Sequence, residues 1–474
     1  MTADREPPEN SPTAWSGPLP VLGDLVEALV EAVDPRLPVR SLAADRHDLG
    51  PRGRAMPWES RLEAVDLLHD VLGDLPDPAP GHALRGGVAE LTERTWQALR
   101  AAAARRRWDV AFVHPGYQPV SPGAYETSGL GGNETSLVVL AEAMAAAGHQ
   151  VTVYAECDPQ DHLGVRWRAR GAFSPETPRD AVVFWVTPDR SSLRVNAEVR
   201  AVRLGGRRPP AGLAEAIRCG ALNLVLGVSR HQRDLLVSRH GVVGDHPWLL
   251  SSNGVRLADY AVPVEREPGK CLYSAAPYRG LDRLLDLWPR IRAEVPHAEL
   301  YVTGGYQLWG VSPESSADRV TTLVGRMLAE PGVRYLGAVP KRDLRAHQLS
   351  AQLYLYPTHY EEMECVACVE AGAAGAIPVT SRLGALPERV AHGVSGVLVD
   401  GHPDSPGYQD VFVAEAVALL RDDDRRQRMA GAAREHAARY SADTTAAEWL
   451  GGFEYVRRRR SFTDVSLARW GRQP

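Results

Sequence analysis

Two glutamates with seven residues between them, Glu362 and Glu370, stand in the stretch richest in chemistry, YPTHYEEMECVACVEAGAAGAIPVTSRLGALPE (356–388). The apolar runs LYLYP and IPVTS read as strands, and a helix beginning near Glu364 joins them. Glu362 then lies in the loop, and Glu370 about a turn and a half into the helix. An ionised carboxylate is acceptor-only and can hold a vicinal diol. The unpaired N–H groups and partial positive charge of a helix N-terminus suit a phosphate. Phosphate at the helix tip, with hydroxyl acceptors on either side, describes a site for a nucleotide joined to a sugar.

Other segments supply matching groups. In SAAPYRGLDRLLDLWPRIRAEVPHAELYVTGG (274–305), Arg279 and Gly280 precede a helix, and the next strand ends in Gly304 and Gly305. The loop GLGGNETS brings Gly131 and Gly132 to a second helix start, where bare backbone can approach a phosphate. His114 ends the first strand and faces the cleft, and His359 precedes Glu362 by three residues. Cys365 and Cys368 form a CxxC, but a zinc site needs a second ligand pair at suitable spacing and none follows. A redox pair or small packing residues are the readings left for them. The loop after the first strand lacks the G-x-G-x-x-G of a dinucleotide site.

The elements that must position these groups are two α/β series. DVAFVHP, GNETSLVVLAEAMAAAGH and QVTVYAE read as strand, helix and strand from Asp109 onward, a parallel βαβ unit. Strand-like runs follow at 181–186, 201–206 and 222–229; after a linker at 261–269 they resume at 271–276, 298–305, 332–339, 352–357 and 377–381. Two such domains leave a cleft at the carboxyl ends of their strands. The expected organisation is a disordered tail (1–20), a helical extension (21–107), a first Rossmann-like domain (108–262), a second (270–440), and a C-terminal helix crossing back, with a tail (441–474). Tyr117, Tyr125, Trp167 and Trp185 fall in first-domain segments that either line the acceptor side or pack the core.

The 356–388 stretch resembles the signature of glycosyltransferase family 4, retaining enzymes of GT-B fold: Glu362, Glu370, Ala371, Gly375, Pro378, Val379, Gly384, Pro387 and Glu388 match in order and spacing. Asn253-Gly254-Val255 and GAVPKRDL (337–344) extend the likeness to roughly 109–450. The resemblance implies that Glu370 holds the ribose hydroxyls and Glu362 the donor hexose. Backbone N–H groups of Cys365 and Val366 would meet sugar hydroxyls or the distal phosphate, and Gly131 and Gly132 the distal phosphate or the acceptor. Val339 and Pro340 would lie against the base, and Arg279 would clamp the pyrophosphate. It further implies two Rossmann-like domains and no metal requirement. Three departures stand out: Ala275 and Ala276 occupy the place of the family's first clamp cation, Arg256 replaces an Asp, and AVRLGGRRPP carries no histidine where relatives have one.

Composition excludes other classes. The 474 residues carry 54 basic and 59 acidic groups, a net charge of −5, which argues against a nucleic-acid-binding protein. Only Lys270 and Lys341 are lysine, so a clamp here is arginine almost by default. The arginine triplet 105–107 and quartet 457–460 read as solvated helix ends. Five cysteines make no disulfide framework, the N-terminus lacks a signal-peptide layout, and no run reaches about 20 apolar residues. The expectation is a cytoplasmic retaining hexosyltransferase using a UDP- or GDP-sugar as co-substrate, with no cofactor, no metal and no integral membrane contact. Its acceptor would be sugar-containing or hydroxyl-bearing. Two alternatives are a donor-binding pseudo-enzyme and a sugar-nucleotide 2-epimerase.

Overall fold

A computed structural model describes residues 88–127, 129–187, 195–242, 246–305 and 322–470. The expected tail and most of the expected helical extension lie outside these residues, except for a helix α1 (Val88–Ala104). The chain divides into a unit of residues 102–457, which holds both sheets, and a unit of residues 1–101 with 458–474. Among the described residues no helix is long and apolar enough to cross a membrane.

The first sheet has eight strands in the order β3-β4-β2-β1-β5-β6-β7-β8. They are β1 (Asp109–Val113), β2 (Gln150–Ala155), β3 (Gln160–His162), β4 (Val165–Ala169), β5 (Arg179–Trp185), β6 (Ala197–Arg203), β7 (Leu224–Gly227) and β8 (Trp248–Leu250). All pairings are parallel except β3 with β4, with Val110 level with Val151 on one side and Ala181 on the other. Crossovers include α2 (Pro122–Thr127), α3 (Gly132–Ala146), α4 (Leu213–Arg218) and α5 (Arg230–His240). Central strands read as unbroken apolar runs because helices cover both faces. Polar β3 and the alternating β4 (Val-Arg-Trp-Arg-Ala) form the edge, where one side meets water.

The second sheet has six parallel strands in the order β11-β10-β9-β12-β13-β14. These are β9 (Lys270–Tyr273), β10 (Glu299–Thr303), β11 (Val333–Gly337), β12 (Leu353–Tyr356), β13 (Ile377–Ser381) and β14 (Val397–Val399). Its helices are α6 (Leu281–Glu294), α7 (Lys341–Ser350), α8 (Val366–Ala374), α9 (Leu386–Arg389), α10 (Pro406–Arg421) and α11 (Asp423–Ala438). Its core joins the apolar face of α6 (Leu281, Leu284, Leu285, Trp288, Ile291) to Tyr354, Tyr356 and Phe412. A long final helix α12 (Ala442–Trp470) returns to the first sheet, where Trp449 packs against Phe112 and Trp185.

The Asn253-Gly254-Val255 turn makes this return possible. Val255 and Ala442 exchange backbone hydrogen bonds with Tyr440 and Val255 at 2.8 and 2.9 Å, a short parallel bridge between the chain's two crossings. Arg256, the reversed charge in this turn, has gathered its own carboxylates: Glu142, Glu126 at 3.5 Å and Asp259 at 3.9 Å.

Candidate functional site

The second sheet reverses direction between β9 and β12. The chain steps outward through β10 and β11, then returns to lay β12 on the other side of β9. Loops leaving two such strands diverge and open a crevice at their carboxyl ends. Arg279 leaves β9 and Glu362 leaves β12, so both arrive at this crevice. Two glycines pin the Glu362 loop. Gly280 has φ +122, and a Cβ there would be driven into the Pro357 carbonyl oxygen. Gly384 has φ +61 and lies against the Glu362 backbone, whose carbonyl accepts the Ala385 N–H at 2.8 Å.

Arg279 donates from one nitrogen to both Glu362 oxygens, at 3.0 and 3.2 Å, and the Tyr356 hydroxyl donates to the same carboxylate. The guanidinium also lies 4.1 Å from the Tyr360 ring centre. Burial works against its charge, but Glu362 holds it well above its ordinary range. Its Nε is buried without a hydrogen-bond partner among the described residues, so the fork retains donor capacity for an anion.

Glu370 is buried in α8, which begins at Val366 rather than near Glu364. Its carboxylate receives the Lys341 ammonium on one oxygen and the Gln348 amide on the other at 3.1 Å, both from α7. An ionised carboxylate has about four acceptor positions, so two contacts leave room for a diol. The helix's lead residue, Cys365, is left-handed (φ +68, ψ 69) and provides no side-chain cap. A non-glycine residue there costs about 1–3 kcal/mol and marks a backbone held for a purpose. Cys365 and Cys368 are free thiols with sulfurs 3.3 Å apart.

The first domain meets this site through the start of α3. Gly131 is its extended N-cap, and a Cβ on Gly132 would lie 3.6 Å from the Val366 side chain, so two helix N-termini face each other. Gly304 ends β10 with φ +115 and donates to Gly337 at 2.8 Å; half-buried Val339 and Pro340 lead into α7.

His114 does not reach the open cleft. It is fully buried, accepts the Gly116 N–H at Nδ1 and points Nε2 at Glu134, 3.8 Å away, under the Tyr117 ring. Burial disfavours the Glu134 charge, yet the nearby His114 ring and the hydrogen bond from the Tyr117 hydroxyl hold its carboxyl below the ordinary value. Trp167 and Trp185 are fully buried, and Tyr125 is nearly so; of the four aromatics only Tyr117 is exposed.

Arg203 carries no local signal in the sequence. Arg203, 1% exposed, donates to Asn133 (2.5 Å) at the start of α3 and to Asn253, and lies 4.8 Å from the Trp185 ring centre. Burial pulls it down to about 10, which leaves it charged at neutral pH. Across the cleft, the Asn253 N–H donates to Glu364 at 2.7 Å, while Glu388 accepts the Arg230 and His231 N–H groups at the start of α5.

Burial pushes the Glu364 carboxyl up to about 7, against the pull of Arg389, the Asn253 N–H and Arg203. The folded chain therefore keeps a proton that the unfolded chain has already lost at intermediate pH. Stability should fall as pH rises from about 4.5 to about 7, by roughly 3 kcal/mol at most. Glu364→Gln keeps an acceptor for Asn253 and removes the titration. Urea unfolding across this range should show a flatter pH dependence in the variant; an unchanged slope would place the titration elsewhere.

Two Rossmann-like domains, with ligand-type groups at the carboxyl ends of both sheets, define a GT-B protein. Anabaena HepE, solved with UDP-glucose, shares this fold with a TM-score of 0.54 at 15% identity, over 73% of this chain and 99% of that one. Residues 271–436, within the second domain, match the family model "Glycosyl transferases group 1". Among curated relatives, the D-inositol 3-phosphate glycosyltransferase of Corynebacterium kroppenstedtii is 38% identical over 112 residues, 24% of each chain. The GDP-mannose-dependent alpha-(1-6)-phosphatidylinositol monomannoside mannosyltransferase of Mycobacterium tuberculosis is 31% identical over 192 residues, 39% of this chain and 46% of that protein. The chain thus spans about a quarter to a third of the length of the first curated relatives it matches. The family 4 resemblance read from 356–388 falls inside the matched region.

Proposed function

We propose that this protein is a retaining glycosyltransferase that moves a sugar from a nucleoside diphosphate sugar to a hydroxyl-bearing acceptor. The observation that carries this reading is the meeting of Arg279 and Glu362 at the switch point of the second sheet, with Glu370 held by Lys341 and Gln348 in the adjoining helix. In this assignment Glu370 accepts from the ribose diol, and Val339 and Pro340 lie along the base. The diphosphate sits between Arg279, Gly304 and the N–H groups of Cys365 and Val366. Glu362 holds the hexose hydroxyls, and Gly131 and Gly132 close the site from the first domain.

The reaction follows from charge placement. As the bond from the anomeric carbon to the phosphate oxygen breaks, negative charge grows on the diphosphate, where Arg279 and the α8 N-terminus stabilise it without a metal ion. The acceptor oxygen bonds to the same face of the sugar, and its proton passes to the departing phosphate oxygen. No protein base is then needed, which suits a site whose histidine is buried on Glu134. UDP and GDP are the nucleotides to test, since HepE was solved with UDP-glucose and the mycobacterial relative is named for GDP-mannose. A cytoplasmic setting completes the proposal.

Calorimetric titration with UDP- and GDP-sugars, followed by NMR of the anomeric proton during turnover, tests it. Micromolar binding and a product with the donor's anomeric configuration are expected. Inversion would overturn the retaining assignment. Donor binding with neither transfer nor hydrolysis would establish a pseudo-enzyme, and mass-neutral conversion of UDP-N-acetylglucosamine an epimerase.

A further inference from the structure

Arg279 is a single cation where two charges of a diphosphate need balancing. Ala275 and Ala276, before it, are buried, and the Ala276 carbonyl is taken by the Tyr273 hydroxyl at 2.9 Å, so this strand end has no second cation to offer. The first domain brings one. Arg207, in the loop after β6, places its guanidinium 4.6 Å from the centre of the Tyr360 ring, the ring that Arg279 contacts at 4.1 Å. One aromatic side chain of the second domain thus carries two guanidinium groups, one from each domain. Two like charges gathered on one ring repel unless an anion joins them, and stacking on an aromatic leaves the N–H edges of a guanidinium free to donate.

The loop is built to hold Arg207 there. Gly205 lies so close to Arg203 and Asn133 that a Cβ would meet both at 2.5 Å, which presses the loop onto the start of α3. The next carbonyl, of Gly206, accepts from Gln232 at 3.1 Å, and Gln232 is fully buried, its own oxygen accepting the Val228 N–H. Arg207 itself is exposed and makes no ion pair among the described residues, whereas Arg279 is already engaged by Glu362.

Resting on the donor reading above, we infer that Arg207 is the second cation of the diphosphate clamp, supplied by the first domain across the cleft. The clamp is then complete only when the domains are closed, as they are here through Asn253 with Glu364 and Glu388 with α5. Arg207 reads diphosphate, and Glu370 reads nucleoside.

Calorimetry without acceptor, using UDP, UMP, GDP and GMP on the full chain, separates these roles. The parent should bind one diphosphate at least about tenfold tighter than its monophosphate. Arg207→Ala should erase most of that preference, lowering diphosphate affinity about tenfold with monophosphate affinity unchanged, and Arg207→Lys should restore part of it. Equal losses for both nucleotides, or parental diphosphate affinity in Arg207→Ala while Arg279→Ala loses it, would overturn the inference. A parent that binds none of the four would instead overturn the donor reading on which it rests. Because Arg207 is exposed, its variants should keep the parental melting temperature, and a fall would count against a ligand-only role.

Discussion

Arg279→Ala is expected to lower kcat about 100- to 1000-fold, the usual cost of removing one group that stabilises charge developing in a transition state. The effect should fall on kcat as well as on donor affinity, because the charge on the diphosphate is greatest as the glycosidic bond breaks. Among the described residues, the same change leaves the Glu362 carboxylate with only the Tyr356 hydroxyl, in a position 5% exposed. Breaking a buried pair by removing one partner costs about 3–5 kcal/mol, and Arg279, at 20% side-chain exposure, belongs at or below the low end of that range. Loss of rate and loss of stability therefore need separating. Arg279→Lys keeps a charge beside Glu362 but not the planar guanidinium that stacks on Tyr360 and keeps further N–H donors for an anion. Stability should largely return in the lysine variant while the rate stays depressed. Steady-state kinetics with the donor identified by titration, alongside thermal melting, gives both readouts. Parental kcat/KM in Arg279→Ala would remove Arg279 from the reaction.

The parts of this site legible in the sequence are those whose neighbours in space are neighbours in the chain. Strand, loop, helix and strand fall within 356–388, so the relative places of Glu362 and Glu370 follow from helical and strand geometry alone. Gly280 and Gly384 stand in the sequence beside Arg279 and within the 356–388 signature, but only the fold shows that both make room for the Pro357–Glu362 loop. The groups that charge-balance the site come from far along the chain. Lys341 and Gln348 stand 29 and 22 positions from Glu370, Asn253 stands 111 from Glu364, and Arg207 lies in the other domain. A single sequence has no periodicity that encodes such pairings. One faint signal existed for Lys341. In a chain that uses arginine almost everywhere, both lysines prove to be buried, Lys270 against Glu267 and the Tyr301 ring, Lys341 against Glu370. A compact ammonium fits where a planar fork needs more room and more acceptors. His114 shows the opposite failure. Its place at a strand end pointed to the cleft, but Tyr117 covers it and Glu134 faces it.

The Glu370–Lys341 pair gives the second large effect, because it couples stability to recognition in a way a double variant can uncouple. Both side chains are buried, at 5% and 8% exposure, and neither tolerates the loss of the other. Glu370→Met leaves an uncompensated ammonium, and Lys341→Met an uncompensated carboxylate; each should cost about 3–5 kcal/mol. Replacing both with methionine removes both charges at once and keeps apolar volume, so the double variant should be more stable than either single one. Recognition should not recover with it. Hydrogen bonds from a ribose diol to a carboxylate are worth about 1.5–3 kcal/mol, so every variant lacking Glu370 should lose about 10- to 100-fold in affinity for UDP or GDP, and equally for the monophosphates. Lys341→Met retains the carboxylate and should lose less. Its remaining loss would measure how far Lys341, with Gln348, pre-sets the carboxylate for the diol. Urea denaturation and nucleotide titration of all four proteins give the complete cycle. A double methionine variant that is both stable and parental in nucleotide affinity would reduce Glu370 to a structural ion-pair partner, and the ribose site would have to lie elsewhere in the cleft.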